Sequence, residues 1–358
     1  LKTYKKLWDK LTSFENLEDA YLKARKRKTN NPKVVEFDEH WRLNLCILLR
    51  ELRDKTYRPR PLKRFVLRDP KTRIICVSDF RDRVVHHALV NILQPIFEPR
   101  FIYDSYASRK GKGTMAALQR FDLFKRRVTK NGRLTENARN DNDVAGYVLK
   151  ADIKQYFQTV DHKVLSGMMR RRVKDENVMW LVRTILENNT SQVHGKSMPL
   201  GNWTSQFFAN VYLNELDQFV KHKLKAKYYI RYVDDFVILH NSIKTLCSYK
   251  ENIGHFLKSL KLELHPEKCR IIPLRRGVAF LGFRMFYHHK IPRERNIRKI
   301  KARLDELLTD FKDNLIDVED IHDTFMGWTG YARCGNTYKL RMSMLKEVQS
   351  ELASSLGL

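Results

Sequence analysis

Residues 228–239 read Tyr-Tyr-Ile-Arg-Tyr-Val-Asp-Asp-Phe-Val-Ile-Leu. Two adjacent aspartates, Asp234 and Asp235, stand between two short runs of β-branched and aromatic residues. That is the pattern of two strands joined by a tight turn. Carboxylates between apolar strands are costly to desolvate unless a counter-charge meets them. A divalent cation is one such partner, since Mg²⁺ takes one or two carboxylates plus substrate phosphates. Asp is also a common turn residue, so a surface hairpin with an Asp-Asp turn fits this segment equally well. A third carboxylate, Asp152, ends another apolar run, Gly146-Tyr-Val-Leu-Lys-Ala-Asp152. A carboxylate at a strand end is a placement typical of metal and phosphate sites. If the strands are neighbours, the three carboxylates form one cluster. Two metals about 4 Å apart there can activate a hydroxyl and stabilise a leaving pyrophosphate. Adjacent strand residues point to opposite faces. Asp152 and Asp234 are therefore the expected metal ligands, with Asp235 a supporting carboxylate.

The charge of the chain indicates the partner. Its 358 residues carry 69 Lys+Arg against 41 Asp+Glu, a net +28. Such an excess favours a polyanion, nucleic acid ahead of an anionic membrane surface. No 18-residue apolar run and no basic-then-apolar opening segment are present, so no membrane association is expected and the location is read as cytoplasmic. Five scattered cysteines, Cys46, Cys76, Cys247, Cys269 and Cys334, lack paired spacing and read as reduced, intracellular thiols. With 42% hydrophobic residues the chain can bury substantial cores, as one multi-lobed unit or two to three domains.

Helices and strands must hold these carboxylates. Residues 1–28 read as helical, and a helix follows Asp38 until Pro59 and Pro61. Phe65-Val-Leu and Arg73-Ile-Ile-Cys-Val form a strand pair around Asp69-Pro70-Lys71. Arg68 and Arg73 on that basic hairpin are candidate triphosphate contacts, because guanidinium forks match phosphate oxygens. Helices are expected over 80–97, started by Asp79, and over 114–127. His86 and His87 within the first diverge by about 100° on a helix and read as structural. Residues 128–144 are polar and aperiodic, the best candidate for a mobile insertion or loop. Further helices are expected from about His162, over 176–188, from Thr204 to Lys221, over 243–260 and from Glu294 to Phe311. Strands are expected over 262–272 and 278–287. The run Arg293, Arg295, Arg298, Lys299, Lys301 and Arg303 suits a helix gripping a nucleic-acid backbone, with Trp328 and Tyr331 in its supporting core.

The residues resemble a reverse transcriptase. Tyr232-Val-Asp-Asp235 matches the Tyr-x-Asp-Asp box of that family, and Asp152 with Phe157 matches its first catalytic box and aromatic sugar gate. Leu200-Gly-Asn-Trp-Thr-Ser-Gln206 matches the Gly-x-x-x-Ser box, and Leu264-His-Pro-Glu-Lys268 the later box bearing a lysine. Phe280-Leu-Gly-Phe283 matches the primer-grip turn. The boxes run in order over roughly residues 60–290. The resemblance implies an α+β, right-hand polymerase: fingers, a split β-α-β, ferredoxin-like palm, and a helical thumb. The corresponding domains are a helical extension at 1–58, fingers at 59–145 with the 128–144 insertion, palm at 146–292 and thumb at 293–358. It implies two Mg²⁺ ions, deoxynucleoside triphosphates, a template RNA and an RNA/DNA hybrid. Asp152, Asp234 and Asp235 would hold metal, and Lys268 would protonate the leaving pyrophosphate. Arg68 and Arg73 would bind the triphosphate, Phe157 would exclude a 2′-hydroxyl, and Leu200, Gly201 and Gln206 would shape the nucleotide pocket.

A finer resemblance is to the reverse transcriptases of diversity-generating retroelements. Ser205-Gln206 stands where retroviral enzymes have Ser-Pro, and Leu200 where they position the nucleotide with glutamine. The opening Thr12-Ser-Phe-Glu-Asn-Leu17 with Ala20-Tyr21, and Trp328-Thr-Gly-Tyr-Ala332, also resemble that subgroup. So does the compact length, expected to leave no room for an added maturase or endonuclease domain. The resemblance implies a bacterial or phage enzyme that copies a template RNA and misincorporates opposite adenines, so that the cDNA diversifies a target gene. It also implies a small, basic, oligomeric accessory protein. Defence-associated and group II intron reverse transcriptases share most of these boxes and remain alternatives. A non-catalytic RNA-binding protein on a polymerase scaffold is a third.

Overall fold

The computed structural model describes residues 2–68, 72–188 and 193–356. The opening stretch is two helices, α1 (Trp8–Leu11) and α2 (Phe14–Arg25), where one helical run was expected. Thr12 and Ser13 break it: the Thr12 hydroxyl donates back to the Trp8 carbonyl, and Ser13 caps α2 by accepting from Asn16 N. A short α3 (Pro32–Asp38), started by Asn31 and Pro32, precedes the expected α4 (Trp41–Arg53). Strands β1 (Lys63–Leu67) and β2 (Arg73–Val77) pair antiparallel, with Leu67 opposite Arg73. The Asp69-Pro70-Lys71 turn lies outside the described residues. Helix α5 (Phe80–Phe97) starts at Asp79, which accepts from Arg81 N. His86 within it is buried and held neutral, desolvation bringing its pKa to about 3.

Helix α6 (Thr114–Val128) leads into the polar segment 128–144, which closes on itself. Leu134 bridges Val144, Thr135 N donates to Asp143 O, and Ala145 N donates to Arg133 O. The chain continues through β3 (Tyr147–Asp152), α7 (Tyr156–Thr159), α8 (His162–Arg170), α9 (Glu176–Glu187) and α10 (Trp203–Gln218). A hairpin of β4 (Tyr229–Tyr232) and β5 (Asp235–His240) follows, then α11 (Ile243–Ser259).

Two strand expectations are corrected. Residues 262–272 contain only β6 (Arg270–Pro273), paired with β3 from Tyr147↔Pro273 to Lys150↔Arg270. Leu264 bridges Ile153 by itself. Between these two contacts residues 265–269 face only Ala151 and Asp152, so the segment loops out at Pro266, which has no N–H for the ladder. Residues 278–287 are likewise a hairpin, β7 (Val278–Phe280) and β8 (Phe283–Met285), joined by Leu281 and Gly282 at φ 44° and 89°. Left-handed backbone at both central residues is the signature of a tight hairpin turn. Strand β9 (Lys290–Pro292) completes a three-stranded sheet, and the helices α12 (Glu294–Lys312), α13 (Val318–Ala332) and α14 (Tyr338–Leu356) follow. The larger sheet has the order β4-β5-β3-β6.

By compactness the chain divides into two units. One comprises Leu1–Lys110, Ala151–Phe236 and Tyr249–Cys269; the other comprises Gly111–Lys150, Val237–Ser248 and Arg270–Leu358. In the second unit Ile300, Leu304, Ile321, Phe325 and Trp328 form a core among α12, α13 and α14, with Tyr331 packed against it. Among the described residues no helix is long and apolar enough to cross a membrane.

Candidate active site

The candidate metal, acid and nucleotide-pocket residues all belong to the first unit, whereas the basic run Arg293–Arg303 lies in the second. Strand β4 ends at Tyr232 and β5 begins at Asp235, so Val233 and Asp234 are the two residues of the turn. Val233 has φ 55°. Left-handed backbone at a β-branched residue is a true outlier, strained by roughly 1–3 kcal/mol, and such strain clusters at functional sites. Asp235 opens β5 and is partly buried.

The structure brings Asp152 to Asp234. Ile153 N, next to Asp152, donates to the Asp234 carbonyl at 3.2 Å. Burial raises the proton affinity of the Asp234 carboxyl, and the neighbouring Asp152 charge raises it further. Arg73 and Lys268 pull in the opposite direction. Lys268 is carried there by the 265–269 loop-out: His265 N donates to Asp152 O at 2.8 Å, and Lys268 Nζ lies 3.2 Å from Asp152 Oδ1. Two carboxylates and two cations from four separate segments thus meet at one place.

Among the described residues no group of three or more His, Cys, Asp or Glu side chains is placed to hold a metal ion. The donor set suits Mg²⁺ all the same. That ion binds through one or two carboxylates and completes its shell with water and substrate phosphates. A carboxylate with raised proton affinity is one that a cation relieves.

Hydrogen bonds tie several of the nucleotide-pocket candidates to neighbouring segments. Leu200 O accepts from Cys76 N at 2.9 Å, which docks the Gly201 loop on β2. Gly201 has φ 124°, and a Cβ there would lie 2.9 Å from the Cys76 carbonyl oxygen, so only glycine fits. Asn202 Oδ1 accepts from Ser78 N at 3.2 Å, one loop further on. Phe157 is partly buried, its ring edge-on to Tyr156 at 5.4 Å. Its carbonyl accepts from Met198 N at 2.6 Å, just before Leu200. Gln206, in the first turn of α10, accepts from Ser108 Oγ at 2.8 Å. Arg68 lies exposed just past β1, one residue beyond the register partner of Arg73. The apolar Phe65, Val66, Leu67 and Ile74 of that hairpin are exposed as well.

Arg231, not among the candidates above, also reaches the site. Its side chain is fully buried, and it donates to the Val233 carbonyl at 3.1 Å. The available signal was a charged residue inside the apolar strand Tyr229-Ile-Arg-Tyr232, where burial demands a partner.

The sequence model of the family described as reverse transcriptase (RNA-dependent DNA polymerase) matches residues 67–285, more than half of the chain. The chain belongs to this family. The group II intron-encoded protein LtrA of Lactococcus lactis subsp. cremoris is 28% identical over 236 residues. That match covers 63% of this chain but 35% of LtrA. Protein YkfC of Escherichia coli (strain K12) is 26% identical over 283 residues, 68% of this chain and 71% of YkfC. A solved structure of telomerase from Candida albicans, in complex with a fragment of telomeric RNA, superposes with a TM-score of 0.50 at 13% identity. It covers 84% of this chain and 55% of that chain, and it establishes a shared right-hand polymerase fold. The chain therefore spans about a third of LtrA and about half of the telomerase chain.

Proposed function

We propose that this reverse transcriptase copies a template RNA into cDNA by two-metal nucleotidyl transfer. The observation that carries the proposal is the coupled Asp152–Asp234 pair with Lys268 and Arg73 acting on it. Bound Mg²⁺ would lower the pKa of the primer 3′-hydroxyl and stabilise the leaving pyrophosphate. Asp152 and Asp234 would hold it, with Asp235 in support. Lys268, a cation held to Asp152, would give its proton to pyrophosphate as the bond to the α-phosphate breaks. Arg73, with Arg68 beyond β1, would clamp the triphosphate, and the exposed apolar face of β1 and β2 is surface that an incoming nucleotide and template would cover. Phe157 would stand against a ribose 2′-hydroxyl, and Leu200, Gly201 and Gln206 would shape the base-pair pocket.

The order β4-β5-β3-β6, with helices between β3 and β4 and α11 between β5 and β6, supports a split β-α-β palm within 146–292. Residues 59–145 are assigned as fingers, 1–58 as a helical extension and 293–358 as thumb. Arg293, Arg295, Arg298, Lys299, Lys301 and Arg303 are all exposed on or beside α12. They would grip the backbone of the RNA/DNA hybrid, so binding should weaken with salt.

The subtype reading is a diversity-generating retroelement enzyme that misincorporates at template adenines and works with a small, basic, oligomeric accessory protein. Leu200 supports it, because a leucine makes none of the hydrogen bonds of a glutamine at that place. The match to LtrA favours a second reading, a group II intron-like enzyme. Leu200→Gln separates them. The retroelement reading predicts fewer errors opposite adenine on an RNA template, and an unchanged error spectrum contradicts it. The activity itself is tested by extending a DNA primer on RNA. Wild type should extend only with Mg²⁺ and Asp234→Ala should not. A wild type inactive even with its RNA and protein partner supplied would end the enzyme reading.

A further inference from the structure

The guanidinium of Arg231 and the carboxylate of Asp217 are both 0% exposed. Burying an ion pair seldom adds stability over well-packed apolar side chains, so its presence calls for another reason. The bonding supplies one. A guanidinium has five N–H donors, and each finds an acceptor here. Nε and Nη2 fork onto Asp217 at 2.7 and 2.6 Å. Nη2 also reaches Ser105 Oγ at 3.0 Å. Nη1 reaches Asn210 Oδ1 at 3.2 Å and the Val233 carbonyl at 3.1 Å. Tyr229 Oη donates to Asp217 at 2.8 Å, and the Arg231 backbone is pinned on both sides, donating to Asp104 O and accepting from Tyr106 N.

Only one of the five bonds leaves this buried cluster for the turn. It holds Val233, the β-branched residue at φ 55° that immediately precedes Asp234. The same guanidinium is tied to the 104–108 loop, whose Ala107 carbonyl accepts from Asn210 Nδ2 and whose Ser108 donates to Gln206. We propose that Arg231 is a positioning residue: its guanidinium holds the left-handed Val233 turn and so fixes the Asp234 carboxylate against Asp152. The inference rests on the reading of Asp234 as a metal ligand. Groups that orient metal ligands from behind typically change metal affinity or activity by 10–100-fold when lost.

The test pairs Arg231→Met with Asp217→Asn, so that no unpaired buried charge remains and Tyr229 keeps its acceptor. Arg231→Lys is the second variant, keeping the charge but losing the fork. Three readouts are taken on full-length chain: cooperative thermal unfolding, hydrogen–deuterium exchange of residues 232–236, and Mn²⁺ binding by electron paramagnetic resonance. The expected result is a folded double variant with faster exchange confined to 232–236 and Mn²⁺ affinity about 10–100-fold weaker. In primer extension kcat should fall by about 100-fold, as when reacting groups shift by an ångström, with KM for deoxynucleotide little changed. A folded double variant with wild-type exchange and wild-type Mn²⁺ affinity overturns the proposal. If the double variant does not fold, Arg231→Lys decides by the same readouts. Asp234→Ala is measured alongside. If it keeps wild-type Mn²⁺ affinity, the metal-site reading itself fails. If it loses that affinity while the Arg231 variants keep theirs, only the positioning role fails.

Discussion

Two hairpins of this reverse transcriptase turn in two residues, and they solve the same steric problem differently. Between β7 and β8 the turn is Leu281-Gly282, with φ positive at both residues. A Cβ on Gly282 would lie 2.5 Å from the Tyr331 hydroxyl, which donates to the Gly282 carbonyl at 3.0 Å. Glycine relieves the strain at the second position, though Leu281 stays left-handed, and lets the tyrosine close in. Between β4 and β5 the turn is Val233-Asp234, with φ positive at Val233 alone. A tight turn of that pattern ordinarily takes glycine at its first central position. The chain has a β-branched residue instead, followed by a carboxylate of raised proton affinity. Glycine at the second position relieves the first turn, and the Tyr331 hydroxyl closes over it. The second turn is held from behind by a buried arginine and destabilised by the charge it presents. If Asp234 is a metal ligand as proposed, that contrast separates a hairpin relieved by glycine from one that keeps its strain to deliver a carboxylate.

The largest effect should come from Asp234→Asn. It should remove extension activity by on the order of 10³-fold or more, the scale seen when a catalytic group is lost. The same variant should unfold at higher temperature at pH 7. The sign follows from linkage. The folded-state pKa of Asp234 lies above its unfolded value near 3.8, so in that window the folded chain binds more protons. Stability contributed by Asp234 is therefore lost as pH rises through the window, and asparagine has no such dependence. Melting curves from pH 4 to pH 7 should diverge in favour of the variant; parallel curves would count against the desolvated carboxylate.

Gly282→Ala should come next, destabilising by about 2 kcal/mol through its left-handed backbone and the clash with Tyr331. Denaturant unfolding measures it, and a neutral result would mean that Tyr331 can step aside. Val233→Gly should have the smallest and opposite effect. Relieving the strained φ should stabilise by about 1 kcal/mol, net of glycine's greater chain entropy. Its extension rate should fall, because the turn loses stiffness. A rate equal to wild type would show that the strain serves no catalytic purpose.

Much of the fold was legible because it is local. The Asp79 cap announced α5, the helices expected over 114–127, 176–188 and 294–311 match α6, α9 and α12, and the Asp152 and Asp234 boxes are contiguous in sequence. What was missed depends on distant partners or on one interrupting residue. Thr12 and Ser13 split the opening helix, and Pro266 ejects the loop that brings Lys268 to Asp152. Leu281-Gly282 was recognised as a turn by resemblance, yet the flanking 278–287 still read as a single strand. Arg231 was hidden because its partners lie 14, 21 and 126 residues away in sequence. No window around the Asp-Asp turn contains Asp217, Asn210 or Ser105.

The most direct test of the Asp152–Asp234 pair as a metal centre needs no primer or template. Thermal unfolding is measured at pH 7 for wild type and Asp234→Asn, each with and without Mg²⁺. An ion that binds the folded chain alone raises its stability by mass action. Without metal the variant should melt above wild type. With Mg²⁺ the wild type should rise, closing or reversing the gap, while the variant stays where it was. Equal shifts in both proteins, or none in either, would contradict a Mg²⁺ site at Asp234.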